Sequence, residues 1–292
     1  MPTPEDAKQR AASTYNTAAD AFDDPPLSFW DYFGKKTVDR LSLQTGARVL
    51  DVCCGSGASA IPAAEVVGPS GLVIGVDLAD KLLELARAKA EHRLLQNISF
   101  QCADMLALDY PGESFDAVIC VFGIFFVPDM SSAVRELWHF VRPGGKLAIT
   151  TWGSNVLEPA NSAFWQAVLK VRPELHKAFN PWGRISDPES LRHMLGKGGV
   201  DPEEVRAENR WHPLRSREDW WTIAMGSGYR GTIEQLSTAE RAAVREANLA
   251  FVRDHGIIRL ETNALYAVAT KKNDPARIAS AVFARMRHGL AQ

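Results

Sequence analysis

The chain has 292 residues, of which 46% are hydrophobic and 23% charged, and its formal net charge is −2. This length suits one large domain or one domain with added segments. The near-neutral charge offers no electrostatic attraction to nucleic acid or to an anionic membrane surface. No apolar segment typical of a secretory signal stands at the N-terminus, and the longest apolar run, residues 117–128, is too short to span a bilayer. We therefore expect a cytoplasmic protein without nucleic-acid or membrane partners.

The four cysteines do not have the spacing of a metal site, and no cluster with histidine completes a zinc set. All four fall in or beside predicted core strands, where cysteine behaves as a small hydrophobic residue. We therefore predict no metal, and we interpret Cys53, Cys54, Cys102 and Cys120 as packing residues.

The N-terminal segment, residues 1–45, is predicted to be helical. A helix should run from the Thr3-Pro4-Glu5-Asp6 start signal to about residue 17, and Asp23-Asp24-Pro25-Pro26 should end it. Aromatic residues then cluster at 29–33, before a short helix near 36–41. We expect this segment to cover a cofactor and substrate site, although packing alone would also explain each aromatic residue.

From residue 47 the pattern alternates between strand and helix. Apolar strands are predicted at 48–53, 72–76, 98–102, 115–122 and 146–152, with Pro143-Gly144-Gly145 as the turn before the fifth strand. Helices are predicted at 59–67, 80–96 and 130–141. Such alternation indicates a parallel sheet with helices on both faces. Residues 46–152 thus form the predicted Rossmann-like core.

Beyond residue 152 the pattern is less regular. A helix is predicted at 187–197, capped by Asp187 with Pro188 at its first position, and strands at 205–211 and 259–270. Helical insertions at 153–185, after strand 5, and at 216–256, before the last strand, predict a cap. The predicted fold is therefore α/β, a Rossmann-like, mostly parallel seven-stranded sheet with a helical cap in 153–272 and a C-terminal helix in 273–292.

Acidic residues mark the ends of the first three predicted strands. Asp51 precedes a loop in which Gly55 and Gly57 let the backbone approach a ligand closely, and the following helix offers free N–H groups. Asp77 ends the second strand, where a carboxylate can accept both hydroxyls of a ribose, and Asp104 follows the third. Because ligands bind beyond the carboxyl ends of parallel strands, this row predicts an adenosine site.

The glycine loop by itself leaves two cofactors open. Residues 55–60 satisfy the G-x-G-x-x-A pattern, and Asp77 lies about 20 residues further on, as in NAD-binding domains. Asp51 favours a different ligand, since its charge would repel a pyrophosphate and attract the ammonium group of an amino acid.

The ordered set of motifs resembles one superfamily. Residues 49–57, 73–77, 102–105, 115–129 and 137–151 resemble, in order and spacing, the blocks of class I S-adenosylmethionine-dependent methyltransferases. The block at 115–129 is most similar to the quinone-biosynthesis C-methyltransferases and their small-molecule relatives. The resemblance implies an enzyme that transfers a methyl group from S-adenosylmethionine by in-line displacement. Cys53 replaces the usual glycine, and Phe125-Phe126 replaces a polar pair, which suggests an apolar or aromatic acceptor.

The resemblance also implies a cofactor site at the strand ends. Asp51 and the loop 55–57 would hold the methionine part, Asp77 the ribose diol and Asp104 the adenine amino group. The apolar members would pack on the adenine and line the sulfonium region. The full set is Asp51, Cys53, Gly55, Gly57, Asp77, Leu78, Asp104, Met105 and Phe122.

The acceptor pocket should come from the segments added to the core. The predicted substrate-pocket residues are Phe126, Trp152, Trp182, Trp220 and Trp221, because flat apolar side chains suit a flat apolar substrate. A general base assists when the acceptor is a hydroxyl. His212 follows a predicted strand and is the best candidate for that base, whereas His139 is interpreted as a surface residue.

Other functions are kept as alternatives. An NAD-dependent oxidoreductase fits the glycine loop, and a non-catalytic S-adenosylmethionine-binding protein would keep the same core. A nucleic-acid methyltransferase is rejected, because Leu27 follows Asp23-Asp24-Pro25-Pro26 where an aromatic residue is needed. The methylated atom is left open, and a homodimer is possible.

Overall fold

The computed structural model describes residues 4–177 and 180–273. Its centre is a seven-stranded sheet with the strand order β3-β2-β1-β4-β5-β9-β6. The strands β1 to β5 pair in parallel, while β9 runs antiparallel to both β5 and β6. The predicted mostly parallel seven-stranded sheet is confirmed. Its strands are Arg48–Val52 (β1), Leu72–Asp77 (β2), Ile98–Cys102 (β3), Phe115–Val121 (β4), Val141–Trp152 (β5), Glu204–Glu208 (β6) and Ala264–Thr270 (β9).

Helices cover both faces of this sheet. On one face, Val49 packs in an apolar cluster with residues of the helices Phe29–Leu41 and Ala60–Val67. On the other face, its neighbour Leu50 packs in a cluster with residues of the helices Met130–Phe140 and Pro188–Lys197. Alternate side chains of a strand point to opposite faces, so both faces of β1 are buried. The helices are Pro4–Ala18 (α1), Phe29–Leu41 (α2), Ala60–Val67 (α3), Asp80–His92 (α4), Met130–Phe140 (α5), Ala160–Val171 (α6), Pro188–Lys197 (α7), Glu218–Met225 (α8), Arg230–Ile233 (α9) and Thr238–Asp254 (α10).

The helix bounds confirm part of the prediction and correct part of it. The Asp187 side chain accepts hydrogen bonds from the amides of Glu189 and Ser190, and Pro188 is the first residue of α7, as predicted. The helix α2 begins at Phe29 instead of residue 36, because the aromatic cluster forms its first turn. Among the described residues, no helix is apolar over a length that would cross a membrane. The predicted C-terminal helix lies outside the described residues.

The fifth strand begins earlier than predicted. It runs from Val141, and the predicted turn at 143–145 is a bulge inside it: Phe115 pairs with Val141, but Ala117 pairs with Lys146. Gly144 has φ +78° there, and its amide bonds to the carbonyl of Lys271. A glycine in the left-handed region accommodates such a bulge without ending the strand.

The two predicted late strands are each divided. Residues 205–211 contain the end of β6, and Trp211–Pro213 (β7) pairs instead with Arg259–Glu261 (β8) in a separate two-stranded sheet. Asn263 separates β8 from β9, because its side chain accepts from the Arg210 amide and donates to the Ser154 carbonyl. These side-chain bonds carry no periodicity that a sequence pattern could show.

The helix α2 approaches the loop that leads into α3 very closely. A Cβ on Gly34 would collide with the carbonyl of Ala58 and lie 2.8 Å from the amide nitrogen of Ser59. Both groups are backbone and cannot move aside as a flexible side chain can. Gly34 therefore fixes the distance between α2 and the ligand-facing end of β1.

We expect Gly34→Ala to destabilise the protein by about 1–3 kcal/mol, because the added methyl group overpacks a backbone contact. Urea unfolding measures this change. Gly183→Ala is the matched control, since nothing lies within 4 Å of a Cβ at that position. Equal unfolding free energies for the two variants would contradict the proposed role of Gly34.

Candidate active site

A cavity of about 200 Å³ lies at the carboxyl ends of the parallel strands. Its walls come from α1 and from the loops that follow β1, β2, β3 and β4. This is the edge at which parallel α/β sheets bind their ligands. All predicted cofactor residues except Asp51 and Gly57 line it, namely Cys53, Gly55, Asp77, Leu78, Asp104, Met105 and Phe122.

The loop after β1 has an unusual backbone. Cys53, Gly55 and Gly57 have φ values of +59°, +53° and +89°. A Cβ on Gly57 would lie 2.9 Å from Ile61, so this glycine lets the loop pack on α3. Cys53 is not a glycine, yet it adopts the left-handed conformation, which the surrounding packing must stabilise. The loop backbone thus accommodates a cysteine at a position where the methyltransferases that the sequence resembles usually have glycine.

Asp51 is fully buried beside the cavity wall. Its Oδ2 accepts a 2.7 Å hydrogen bond from the Ser59 hydroxyl, while its Oδ1 has no hydrogen-bond partner among the described residues. Burial, with a smaller contribution from the charge of Asp77, raises the pKa of Asp51 to about 7. A buried carboxylate oxygen without a partner is costly, so this atom is suited to a cationic group.

Asp77 connects two loops of the site. Its Oδ2 accepts a hydrogen bond from the Gly55 amide at 2.9 Å, and its Oδ1 accepts one from the Ala79 amide at 2.8 Å. Burial raises the pKa of the carboxyl, and these two amide bonds oppose the rise. Each oxygen has a second lone pair, so Asp77 can still accept the two hydroxyls of a ribose.

Asp104 forms contacts within the protein that were not predicted from the sequence. Its Oδ2 forms a 2.8 Å ion pair with Lys8 of α1, and its Oδ1 accepts a hydrogen bond from the Leu106 amide. Lys8 also lines the cavity. Lys8 therefore shares the carboxylate that the family resemblance assigns to the adenine amino group, and α1 is fastened to that end of the site.

The cysteines differ from one another in their surroundings. Cys54 and Cys120 are buried as predicted, but Cys102 is exposed, which corrects its interpretation as a core residue. Cys53 is partly exposed to the cavity, and its Sγ lies 3.7 Å from the Met105 sulfur. The Cys120 thiol and burial raise the pKa of the Cys53 thiol, so it remains protonated.

Aromatic rings form one wall of the cavity. Tyr15 of α1 contacts the rings of Phe22 and Phe126 edge-on, and Phe22 stacks on Trp30 with the planes 3° apart. Trp30 in turn lies edge-on to Phe122. We call these five residues the aromatic wall; all of them line the cavity.

None of the four predicted substrate-pocket tryptophans lines the cavity. Trp220 is completely buried and donates a 2.8 Å hydrogen bond to the Asn248 side chain, so it stabilises the cap. Trp152 is 5% exposed and stacks behind Phe122 at 3.9 Å. Trp182 packs on Phe125, and Trp221 packs against the main core. The prediction is wrong for Trp152 and Trp220, because both rings are buried against other side chains.

His212 is also placed away from the reacting region. The ring is 4% exposed, lies edge-on to Phe29 at 5.2 Å and does not line the cavity. Burial lowers its pKa, which outweighs the opposing effect of the Pro26 backbone. The general-base prediction is therefore corrected: the sequence placed His212 after a strand, but His212 lies within β7, which pairs with β8 outside the main sheet.

Several lining residues were not singled out from the sequence. Lys8 and Tyr15 belong to α1. The helical pattern predicts that this segment covers the site, but it does not predict which side chains point into the cavity. Ser56 donates a 2.6 Å hydrogen bond to Asp23, and Lys89 donates to both. These contacts join positions far apart in the chain, so no local sequence signal reveals them.

This geometry agrees with a comparison to known families. A family model described as the ubiE/COQ5 methyltransferase family matches residues 10–181, more than half of the chain. The chain belongs to the ubiE/COQ5 methyltransferase family. The enzyme is therefore an S-adenosylmethionine-dependent methyltransferase, and the NAD-dependent alternative is wrong.

Individual relatives agree with this assignment. This methyltransferase is 32% identical to the demethylmenaquinone methyltransferase of Lactococcus lactis subsp. lactis (strain IL1403) over 59% of this chain and 70% of the relative. It is 35% identical to the aklanonic acid methyltransferase DauC of Streptomyces sp. (strain C5) over 76% of this chain and 92% of the relative. Its fold resembles that of the phosphoethanolamine N-methyltransferase 2 of Haemonchus contortus, with a TM-score of 0.56, 17% identity, and 94% and 61% of the two chains covered.

The ligand-free stability of this methyltransferase should depend on Asp51. Because its folded pKa of about 7 lies above the ordinary 3.8, the folded state binds more protons than the unfolded state between these values. Stability contributed by Asp51 is therefore greatest below pH 4 and falls as the pH rises towards 7. Relative to Asp51→Asn, the wild type should lose roughly 1.4 kcal/mol per pH unit in that window.

Urea unfolding between pH 5 and pH 8 measures the difference. The exposed Asp109 is the control position, and Asp109→Asn should keep the wild-type pH dependence. Parallel curves for the wild type and Asp51→Asn would show that Asp51 is not the buried acid that titrates.

Proposed function

We propose that this enzyme methylates a small aromatic acceptor held between the row of strand-end carboxylates and the aromatic wall. The observation that carries the proposal is the lining of the cavity, which combines the carboxylates of Asp77 and Asp104 with five aromatic rings. Flat rings bind flat apolar molecules through stacked and edge-on contacts. The relatives named above are methyltransferases named for a quinone and for a carboxylic acid, and both names support such an acceptor.

The described residues fit S-adenosylmethionine along this row. Asp51 is connected to the site through Ser59, which lines the cavity and donates to the Asp51 Oδ2, and the free lone pairs of Asp77 suit the ribose hydroxyls. Leu78 and Met105 offer apolar surfaces for the adenine. Asp104 can accept the adenine amino group only by sharing its carboxylate with Lys8.

When bound, the sulfonium supplies an activated methyl group, so the protein has little covalent chemistry to perform. The residues of the chain mainly orient the two reactants and exclude water. Phe122, with φ +55°, holds its ring in the cavity against Trp152. The helix α1 covers the opening with Tyr15, Ala11 and Ala12. The aromatic wall would place the acceptor beside Cys53, between the methionine and ribose positions.

The cofactor assignment predicts the effect of Asp77→Asn. The variant loses the charge that strengthens hydrogen bonds to the ribose, and one such bond contributes about 1.5–3 kcal/mol. Affinity for S-adenosylmethionine should fall about 10- to 100-fold, as measured by calorimetry.

Asp80→Asn is the control, because Asp80 lies three residues further on, is exposed and does not line the cavity. NAD should give no heat with any of the three proteins. Unchanged S-adenosylmethionine affinity in Asp77→Asn would refute the placement of the ribose.

The acceptor assignment predicts the effect of Phe126→Ala. Phe126 is 41% exposed at the cavity edge, and its ring contacts Tyr15 at 5.7 Å. Removing the ring should raise KM for a planar aromatic acceptor about 5- to 20-fold, because apolar contact area is lost. Steady-state kinetics with 2-hydroxy-1,4-naphthoquinone measures KM, and calorimetry should show retained S-adenosylmethionine affinity.

Leu169→Ala removes an apolar side chain of similar accessibility, 40% exposed, that does not line the cavity, and should leave KM unchanged. If Phe126→Ala weakens cofactor binding as much as it raises KM, Phe126 packs on the cofactor and the acceptor lies elsewhere.

A further inference from the structure

Tyr15 carries a polar group whose role is unexplained by packing. It lines the cavity from α1, and its ring is held edge-on by Phe22 and Phe126. Its hydroxyl makes no hydrogen bond to any residue in the described parts of the chain, 4–177 and 180–273. Because Tyr15 is only half-buried and lines the cavity, its hydroxyl can donate a hydrogen bond to a polar group of a ligand that enters the cavity.

The position of the Tyr15 hydroxyl indicates which part of the cavity it can reach. A Cβ on Gly228, in the segment between α8 and α9, would lie 3.7 Å from the Tyr15 oxygen. The hydroxyl therefore stands where the cavity meets the cap. Tyr15 lies about two helical turns beyond Lys8 on α1, which is about 10 Å along the helix from the Lys8–Asp104 pair at the predicted adenine end.

We propose that Tyr15 orients the methyl acceptor by donating a hydrogen bond to an acceptor oxygen next to the nucleophilic atom. The acceptor class is then an aromatic acid or acidic enol, such as a hydroxyquinone or an aromatic carboxylate. This inference rests on the proposed function and goes beyond it, because it names the recognised group and the residue that recognises it.

The protonation of the site agrees with a donor role. Burial, followed by the charge of Asp77, raises the pKa of Tyr15 far above its ordinary value, so the phenol stays neutral. A neutral phenol donates to an oxygen anion and does not serve as a base near neutral pH. The titratable residues that face the cavity are Glu5, Lys8, Tyr15, Cys53, Cys54, Asp77 and Asp104.

The transfer step balances without a proton on Tyr15. The acceptor loses its acidic proton to water before it binds. Its lone pair then forms the bond to the methyl carbon while the carbon–sulfur bond breaks and its electron pair returns to sulfur. An anion and a sulfonium thus give a neutral methylated product and a neutral thioether, and the Tyr15 hydrogen bond only holds the acceptor oxygen in place.

The test compares two planar probes that differ in their oxygen atoms. 2-Hydroxy-1,4-naphthoquinone offers an acidic enol beside a carbonyl, whereas naphthalene-2-thiol offers a nucleophilic sulfur and no oxygen. Tyr15→Phe keeps the ring and removes only the hydroxyl. In Tyr15→Phe, we expect kcat/KM for the quinone to fall about 10- to 100-fold, because a hydrogen bond to a charged group is lost. We expect kcat/KM for the thiol to change less than about twofold, because the thiol has no oxygen for Tyr15 to bind.

Two controls separate the possible causes. Tyr110→Phe removes a phenol hydroxyl that bonds to Gln101 outside the cavity, and should not change either rate. Calorimetry should show that Tyr15→Phe binds S-adenosylmethionine like the wild type.

Four results would overturn the inference. Weakened cofactor binding in Tyr15→Phe would assign the hydroxyl to the cofactor, and equal losses on both probes would make its role structural. Unchanged rates on both probes would show that the hydroxyl recognises nothing. A wild-type enzyme that methylates neither probe, while still binding S-adenosylmethionine, would instead refute the proposed aromatic acceptor, and this inference with it.

Discussion

The hydrogen bond from the Gly55 amide to the Asp77 carboxylate, 2.9 Å long, sets the geometry of the whole site. It joins the loop after β1 to the end of β2, and Asp77 extends the connection to the Ala79 amide at the start of α4. Parallel pairing of the two strands places these groups at one edge of the sheet. The glycine loop, the Asp77 carboxylate and the helix that follows are therefore held in a fixed relative position, and such preorganisation favours the binding of a flexible cofactor.

The N-terminal segment is built into the same frame. The helix α1 is fastened at its beginning by the Lys8–Asp104 ion pair and further on by the Asn16 side chain, which accepts from the Lys81 amide. Beyond α1, Asp23 and Lys89 enclose the Ser56 hydroxyl in the centre of the glycine loop. Each partner belongs to a cofactor loop or to α4. The cover of the cavity thus rests directly on the elements that bind the cofactor, so cover and cofactor loops are held in register.

The cap serves the stability of the molecule more than its chemistry. Trp220 and Asn248 form a buried hydrogen-bonded pair between α8 and α10, and Tyr229 packs on the same indole ring. The cap meets the site at Gly228, beside the Tyr15 hydroxyl. A sequence rule that places tryptophans of an inserted segment in a substrate pocket fails here, because large aromatic residues contribute most when they are completely buried.

The sequence alone determined the sheet, its strand-end acids and the cofactor. Strand and helix periods are local, and Asp51, Gly55, Gly57, Asp77 and Asp104 stand at fixed distances from them, so the pattern predicts the fold and an adenosine site. The resemblance of the ordered motifs to the methyltransferases implies that the cofactor is S-adenosylmethionine. Only the tertiary structure decided which side chains line the cavity. Tyr15, Trp30 and Phe126 come together from separate elements, while His212 and Trp220 are turned into the core. Orientation depends on packing between distant segments, and no spacing along the chain encodes it.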